Sequence, residues 1–200
     1  MCGIVGYAGP LATSGRPLDV VLEGLGRLEY RGYDSAGVAL VAPELNRVAT
    51  AKKSGKLVKL LDELAARPLP AASAAIGHTR WATHGAPNDT NAHPHLADEG
   101  RLAVIHNGIV ENFAVLKEEL LADGATFLSE TDTEVAAQLL ARAYRRTGDL
   151  TEAMAYVARQ LEGTFTLLAV HADSPTTVVG ARHDSPLVVG LGEGENFLGS

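Results

Sequence analysis

Hydrophobic residues recur with two different periods along this chain, and the pattern predicts separate clusters of strands and helices. A short β-rich apolar run over 3–8 precedes Pro10 and predicts a buried strand. From Leu18 the apolar positions follow the spacing of an amphipathic helix, although Gly24 and Gly26 weaken that pattern. The other predicted strands are 36–41, 47–51, 75–81, 102–106, 164–171, 177–181 and 187–189, and the other predicted helices are 56–66, 112–122, 151–161 and one that begins at Asp132.

The order of these elements favours a layered α+β fold. Strands cluster at both ends and in the middle, and helices come in pairs, which does not match the strict alternation of a doubly wound fold. A Thr131-x-x-Glu134 pattern at the start of one helix resembles a capping box. The interval 67–75 is the one linker-like stretch and is too short to separate domains, so residues 1–200 are predicted to form a single domain.

Composition excludes several classes of protein. Hydrophobic residues make up 46% and charged residues 20% of the 200 positions, which excludes a disordered chain. No apolar run approaches the roughly 18 residues of a membrane helix. No basic residue precedes Arg16, which argues against a signal peptide over 2–8. The net charge of −7 has the wrong sign for phosphate contacts. We therefore expect no membrane and no nucleic-acid partner.

Cys2 is the single cysteine, which excludes a disulfide framework and favours a reducing, cytoplasmic location. If Met1 is removed, Cys2 carries a thiol and a free α-amine on one residue. Their reference pKa values, about 8.5 and about 7.7–8.0, suit proton transfer near neutral pH. This is the arrangement of an N-terminal nucleophile, in which the amine replaces the histidine of a triad. The alternative is a small buried hydrophobic residue.

Six motifs decide between these interpretations of Cys2. They are MCGIVGYAG at 1–9, LEYRGYDSAG at 28–37, GHTRWATHG at 77–85, NAHPH at 91–95, HNGIVEN at 106–112 and SETDTE at 129–134. Together they resemble the N-terminal glutaminase domain of the glutamine–fructose-6-phosphate aminotransferase (glucosamine-6-phosphate synthase) family. The wider class is that of the N-terminal-nucleophile, or class II, glutamine amidotransferases. The resemblance runs in order through the closing GENFLGS and covers essentially the whole chain.

The resemblance implies both a fold and a reaction. The fold is the four-layer αββα sandwich of the N-terminal-nucleophile hydrolases, and two sugar-isomerase domains that follow in the family are absent from this chain. The thiol of Cys2 would attack the side-chain amide of L-glutamine, release ammonia and leave a thioester that water hydrolyses to L-glutamate, with no cofactor and no metal. In the full-length homodimer, the ammonia would convert fructose 6-phosphate to glucosamine 6-phosphate.

The resemblance also assigns roles to single residues. Asn107 and Gly108 would form the oxyanion hole, although an Asn-Gly pair alone indicates a hairpin turn. Arg80 would bind the α-carboxylate of glutamine, where the alternative is a surface arginine. Asp132 would bind the α-amino group, where the alternative is a helix N-cap.

A loop over 80–87 would close over the substrate in this family. Trp81, which otherwise indicates core packing, would belong to that loop, and Thr83 and His84 would contact glutamine. Arg31, in a motif shared with Tyr33 and Asp34, would support the nucleophile. The resemblance assigns these contacts to the residues of two separate motifs.

Three other functions stay open on the sequence. The domain could serve another class II amidotransferase with a different ammonia acceptor. His93 and His95 have a spacing used by metal sites, and with nearby aspartates they could belong to a metallohydrolase. A catalytically inactive glutamine sensor is the third alternative, and an intact Cys2 with a free amine argues against it.

Overall fold

The computed structural model describes residues 2–10, 15–82 and 85–200. Met1, Thr83 and His84, which the sequence singled out, lie outside these described residues. The strands within them are β1 (Gly3–Ala8), β2 (Ser35–Val41), β3 (Ala49–Ser54), β4 (Ala74–Arg80), β5 (His95–Ala97), β6 (Leu102–Gly108), β7 (Phe165–His171), β8 (Val179–His183), β9 (Val188–Leu191) and β10 (Asn196–Gly199). The helices are α1 (Arg16–Leu28), α2 (Leu57–Ala66), α3 (Phe113–Ala122), α4 (Asp132–Thr147) and α5 (Leu150–Ala158), with 3₁₀ turns at Glu29–Arg31 and Asp98–Gly100.

Two antiparallel sheets face each other and carry helices on their outer sides. The six-stranded sheet has the order β3-β2-β4-β1-β10-β9, and the four-stranded sheet has the order β5-β6-β7-β8. Val21 and Leu60 belong to the core that joins α1 and α2 to the first sheet, while α3, α4 and α5 share a core with the second. Ile76 and Ile105 contribute to a third core between the sheets. The fold is the predicted α+β sandwich with four αββα layers.

Most predicted elements occur within a few residues of their expected bounds, and the differences have local causes. The strand predicted over 47–51 continues to Ser54 as β3. It can do so because an antiparallel strand that is only partly buried accommodates polar side chains on its exposed face. β5 and β10 are three and four residues long, too short to produce a periodic signal. The weak point of α1, Gly24, is required by packing, since a Cβ there would lie 2.8 Å from Val5 Cγ2. Among the described helices, none is both long enough and apolar enough to cross a bilayer.

Strand register gathers the predicted site residues at one end of the sandwich. Gly3 pairs with Thr79, so Cys2 comes next to Arg80 beyond the first strand pair. Side chains alternate between the two faces of a strand, which places Arg80 on the same inner face as Ile76. Asn107 reaches the same end from the opposite sheet. A cavity between the sheets opens there.

Candidate active site

This cavity has a volume of about 340 Å³ and contains every predicted site residue that the structure describes. Five chain segments supply these residues, namely the start of β1, the 3₁₀ turn at Glu29–Arg31, the end of β4, the end of β6 and the start of α4. The predicted residues that line it are Cys2, Arg31, Arg80, Trp81, Asn107, Gly108 and Asp132. The predicted contacts of Thr83 and His84 fall outside the described residues.

The thiol of Cys2 is half-buried at the rim of this cavity. The Trp81 backbone N–H donates a hydrogen bond to Sγ at 3.2 Å, and Asn107 Nδ2 donates to the Cys2 carbonyl oxygen at 3.1 Å. Burial raises the pKa of the thiol, and the Trp81 N–H and the charge of Arg80 act against that rise. The thiol is therefore protonated at neutral pH, and a reaction at sulfur needs a base.

Asn107 and Gly108 end strand β6 and do not form the hairpin turn that their sequence indicates. The strand that follows Asn107-Gly108 in sequence and pairs with β6 is β7, which enters the sheet only after α3, α4 and α5. Gly108 has φ +127°, and a Cβ at this position would lie 2.0 Å from the Thr164 carbonyl oxygen. Only glycine fits here, so the Asn-Gly pair serves a close backbone approach beside the cavity.

Arg80 and Asp132 bring opposite charges to the cavity from the two halves of the sandwich. Arg80 is 4% exposed at the end of β4, and its Nη2 donates to the Gly85 carbonyl oxygen at 3.3 Å. Asp132 is 5% exposed at the start of α4, and its Oδ2 accepts from the Val110 N–H at 2.9 Å. Arg80 is thus not the surface arginine of the alternative interpretation.

The N-cap of α4 is Thr131, so the alternative role of Asp132 as the cap is wrong. The Thr131 hydroxyl accepts from the Glu134 N–H at 3.3 Å and lies 2.9 Å from His95 Nε2. The predicted capping box is half correct, because the Glu134 carboxylate turns to the N–H groups of Leu128 and Ser129 at 2.9 and 2.6 Å.

Trp81 lies at the cavity rim with 47% of its surface exposed, which contradicts the core-packing alternative. Its ring meets the ring of Tyr33 edge-on at 5.3 Å. Asp34 links the same two segments, since its N–H donates to the Arg80 carbonyl oxygen at 3.1 Å and its carboxylate accepts from the Ala82 N–H. The 31–34 motif therefore fixes the point where β4 leaves the sheet, and Arg31 lines the cavity beside it.

Several residues at the site were not predicted. His78 contacts Asn107 from below the cavity, and Thr164, Ser185 and Pro186 line the wall next to Gly108. The period of two along β4 could have identified His78, because it shares a strand face with Arg80. Ser185 and Pro186 carry no comparable signal, since only the pairing of β7 with β8 brings them to this end.

The buried histidines pack on one another and do not converge on an open point. The rings of His78 and His93 stack at 4.1 Å, and those of His93 and His95 meet edge-on at 4.9 Å. Burial lowers the pKa of all three rings, so they are neutral at pH 7. Across residues 2–10, 15–82 and 85–200, no group of three or more His, Cys, Asp or Glu side chains has the arrangement of a metal site.

Comparisons with known proteins agree with this geometry. Residues 63–198 match the family model described as a glutamine amidotransferase domain. Glutamine–fructose-6-phosphate aminotransferase (isomerizing) of Leifsonia xyli subsp. xyli is 65% identical over 100% of this chain and 32% of its own length. The enzyme of that name from Streptomyces coelicolor is 64% identical over the same shares. The chain thus spans about a third of the length of these curated relatives.

A solved structure extends the similarity to the fold. The glutamine phosphoribosylpyrophosphate (PRPP) amidotransferase from B. subtilis, complexed with ADP and GMP, superposes with a TM-score of 0.79 and 26% identity. The match covers 99% of this chain and 41% of that one. The family model covers more than half of the residues of this chain, and the solved structure shares its sandwich fold. This chain therefore belongs to the glutamine amidotransferase domain family.

Proposed function

We propose that residues 1–200 form a glutaminase domain that hydrolyses L-glutamine to L-glutamate and ammonia in the cytoplasm. The observation that carries the proposal is one cavity that holds a thiol, a guanidinium, a carboxylate and an Asn-Gly pair. A cytoplasmic location fits the single cysteine, because a nucleophilic thiol without a partner cysteine stays reduced there.

The charges of the cavity suit the two ends of an amino acid zwitterion. The Arg80 guanidinium presents a planar fork that matches an α-carboxylate, and the Asp132 carboxylate is the complement of an α-ammonium group. Both side chains are buried, so their charges are little screened by solvent. A bound glutamine would extend its side-chain amide from these anchors toward Cys2.

The chemistry begins with Sγ of Cys2 attacking the amide carbon. Because burial raises the pKa of the thiol, a base must take its proton, and we assign the α-amine that removal of Met1 exposes. The same proton passes to the leaving nitrogen as the C–N bond breaks. Ammonia departs, a γ-glutamyl thioester forms, and attack by water then releases glutamate and the free thiol.

Asn107 and Gly108 would stabilise the negative charge that develops on the amide oxygen. Asn107 Nδ2 already points to the Cys2 backbone, 3.1 Å from its carbonyl oxygen. The Gly108 backbone is held at the cavity wall by the next residue, because the Ile109 N–H donates to the Thr164 carbonyl oxygen at 2.9 Å. Removal of one such donor lowers the rate by ~10²–10³ in other enzymes.

The ammonia acceptor belongs to the full-length protein. The names of the two bacterial relatives give fructose 6-phosphate as the sugar, and we propose the same acceptor and the product glucosamine 6-phosphate here. Sugar-isomerase domains and a homodimer, both predicted from the resemblance, would complete that enzyme.

The test is glutamate release from L-glutamine by protein whose intact mass confirms that Met1 has been removed. Cys2→Ala should abolish turnover and still bind glutamine in calorimetry, because Arg80 and Asp132 remain. An alkylating glutamine analogue should stop the wild-type reaction and map by mass to Cys2.

Three results would contradict parts of this proposal. Turnover by Cys2→Ala near the wild-type rate would refute the nucleophile assignment. Wild-type protein that binds glutamine without releasing glutamate would indicate the sensor alternative. Activity of protein that retains Met1 would show that another group is the base.

A further inference from the structure

The side-chain amide of Asn107 is held at both ends by contacts to the opposite, six-stranded sheet. Its Nδ2 donates to the Cys2 carbonyl oxygen at 3.1 Å, and its Oδ1 lies 3.0 Å from His78 Nε2. Asn107 belongs to β6 in the four-stranded sheet, whereas His78 belongs to β4 in the six-stranded sheet. The orientation of this amide is therefore set across the space between the sheets.

One backbone carbonyl determines which nitrogen of His78 carries the proton. His78 Nε2 lies 2.9 Å from the His106 carbonyl oxygen, which can only accept a hydrogen bond. Nε2 must then be protonated, and the same N–H donates to the second acceptor within reach, Asn107 Oδ1. With Oδ1 engaged in this way, the Nδ2 donor of Asn107 faces Cys2.

Burial keeps His78 in this neutral form. The ring is 1% exposed, and burial lowers its pKa to about 3. His93 stacks on it at 4.1 Å, and burial lowers the pKa of that ring as well. Within the described part of the chain, His78 Nδ1 has no hydrogen-bond partner, so a proton added there would be a buried donor without an acceptor.

We propose that His78 is a positioning residue that fixes Asn107 Nδ2 toward the oxyanion formed during glutamine hydrolysis. This inference rests on the proposed function and adds a residue that the motif roles did not include. His78 itself does not line the cavity, and the Asn107 amide is the group through which it reaches the predicted oxyanion hole. A donor that is already oriented needs no reorganisation as charge develops, which is the physical basis of its effect on rate.

The test compares two substitutions at position 78 in the 200-residue chain. His78→Leu removes the donor, and we expect kcat for glutamate release to fall about 10–100-fold, less than for loss of the oxyanion donor itself. The KM for glutamine should stay within about twofold, because Arg80 and Asp132 are untouched. His78→Gln places an amide N–H near the position of Nε2, and we expect it to restore kcat to within a few-fold of wild type.

Two further measurements separate positioning from loss of structure. Alkylation of Cys2 by iodoacetamide requires no oxyanion hole, so its rate should be the same in His78→Leu and wild type. His171→Leu is the matched control. His171 is as buried as His78, but it lies at the end of β7 that is away from the cavity and contacts Asp98. That variant should be less stable but keep the kcat of the folded protein.

Several outcomes would overturn the inference. An unchanged kcat in His78→Leu, or a raised KM with an unchanged kcat, would each exclude a positioning role for His78. If His78→Leu does not fold, His78→Gln and the wild-type tautomer measured by ¹⁵N NMR decide the question, and a proton on Nδ1 would contradict it. Wild-type protein without glutaminase activity would instead refute the proposed function, so the two failures are distinguishable.

Discussion

We predict that the affinity for glutamine depends on single charged side chains in this cavity, and Arg80 allows the clearest test. Arg80→Ala removes the buried guanidinium that we pair with the α-carboxylate of glutamine. We expect the KM for glutamine to rise about 100-fold, since two charge-assisted hydrogen bonds are worth roughly 3 kcal/mol. The kcat should change only a few-fold, and steady-state glutamate release measures both.

The matched control for Arg80 is Arg142→Ala. Arg142 makes an ion pair with Asp123 at 2.7 Å and does not line the cavity. Its loss should leave both kinetic constants unchanged. A fall in kcat at constant KM for Arg80→Ala would assign Arg80 to the chemical step.

Backbone fit is the second residue-scale determinant, and Gly108 allows a direct test. In Gly108→Ala the new Cβ meets the Thr164 carbonyl and must displace the end of β6. We expect kcat to fall by ~10² or more, as for loss of an oxyanion donor. Gly124→Ala is the control, because its φ of +87° is also left-handed but the space around it is open.

The free energy of unfolding separates the cost of a left-handed backbone from an effect on the reaction at these two glycines. Gly124→Ala should lower the free energy of unfolding in urea by about 1 kcal/mol, the cost of a left-handed alanine, with unchanged activity. Gly108→Ala with the kcat of wild type would mean that the backbone at this position makes no contribution to the reaction.

The sequence identified residues whose chemistry is visible in local motifs and missed those whose role depends on three-dimensional contact. Cys2 and Arg80 belong to such motifs, and the cavity contains both. The hairpin turn that the Asn107-Gly108 pair indicates is not formed. Local preference cannot show that β6 pairs with β7, a strand more than 50 residues later in the sequence. The period of two along β4 places His78 on the same face as Arg80, but its contact with Asn107 could not be predicted, since Asn107 lies in the other sheet.

At the scale of elements, the N-terminus of α4 joins a helix cap to the residue that we propose binds the α-amino group of glutamine. Thr131 is the N-cap of this helix, and Asp132 is its first residue. Thr131→Ala should lower the free energy of unfolding by about 1 kcal/mol. It should also raise the KM for glutamine several-fold, because the loss of the cap loosens the turn that holds Asp132.

Asp149 provides a control of the same type on α5. Its carboxylate accepts from the Glu152 N–H at 2.8 Å, away from the cavity. Asp149→Ala should have a similar cost in stability with an unchanged KM. Equal KM values for the two variants would show that Asp132 is positioned independently of its helix cap.

The elements were predictable where hydrophobic periodicity extends over several turns or a full strand. The strand over 3–8 and the helix from Asp132 began where the sequence placed them. β10 could not be found, because its four residues gain their stability by pairing with β1 at the other end of the chain. Capping was predictable from Thr131, but the partners of Glu134 depend on the fold of the preceding loop.

For the whole molecule, the buried histidines predict sensitivity to acid. Burial lowers the pKa of His78, His93 and His95, so below about pH 6.5 the unfolded chain binds protons that the folded chain excludes. The free energy of unfolding is therefore unaffected by these rings above that pH and falls as the pH decreases. Three such protons correspond to a slope of about 4 kcal/mol per pH unit.

Urea unfolding between pH 7 and pH 5 measures this slope. His95→Gln removes one of the three rings and should reduce the slope by about 1.4 kcal/mol per pH unit. His183→Gln is the control, since the His183 side chain is 61% exposed. An equal slope in His95→Gln and wild type would show that His95 does not contribute to the acid response.

The position of β1 between β4 and β10 has a consequence for synthesis on the ribosome. Gly6 pairs with Ile76 on one side and with Leu198 on the other, so the first strand to emerge gains its second neighbour about 190 residues later. Contacts so distant in sequence form late in folding. A nascent chain thus carries Cys2 outside the ribosome long before its cavity is complete. The cavity is completed only after the last of its lining residues, Ser185, Pro186 and Ser200, have been synthesised.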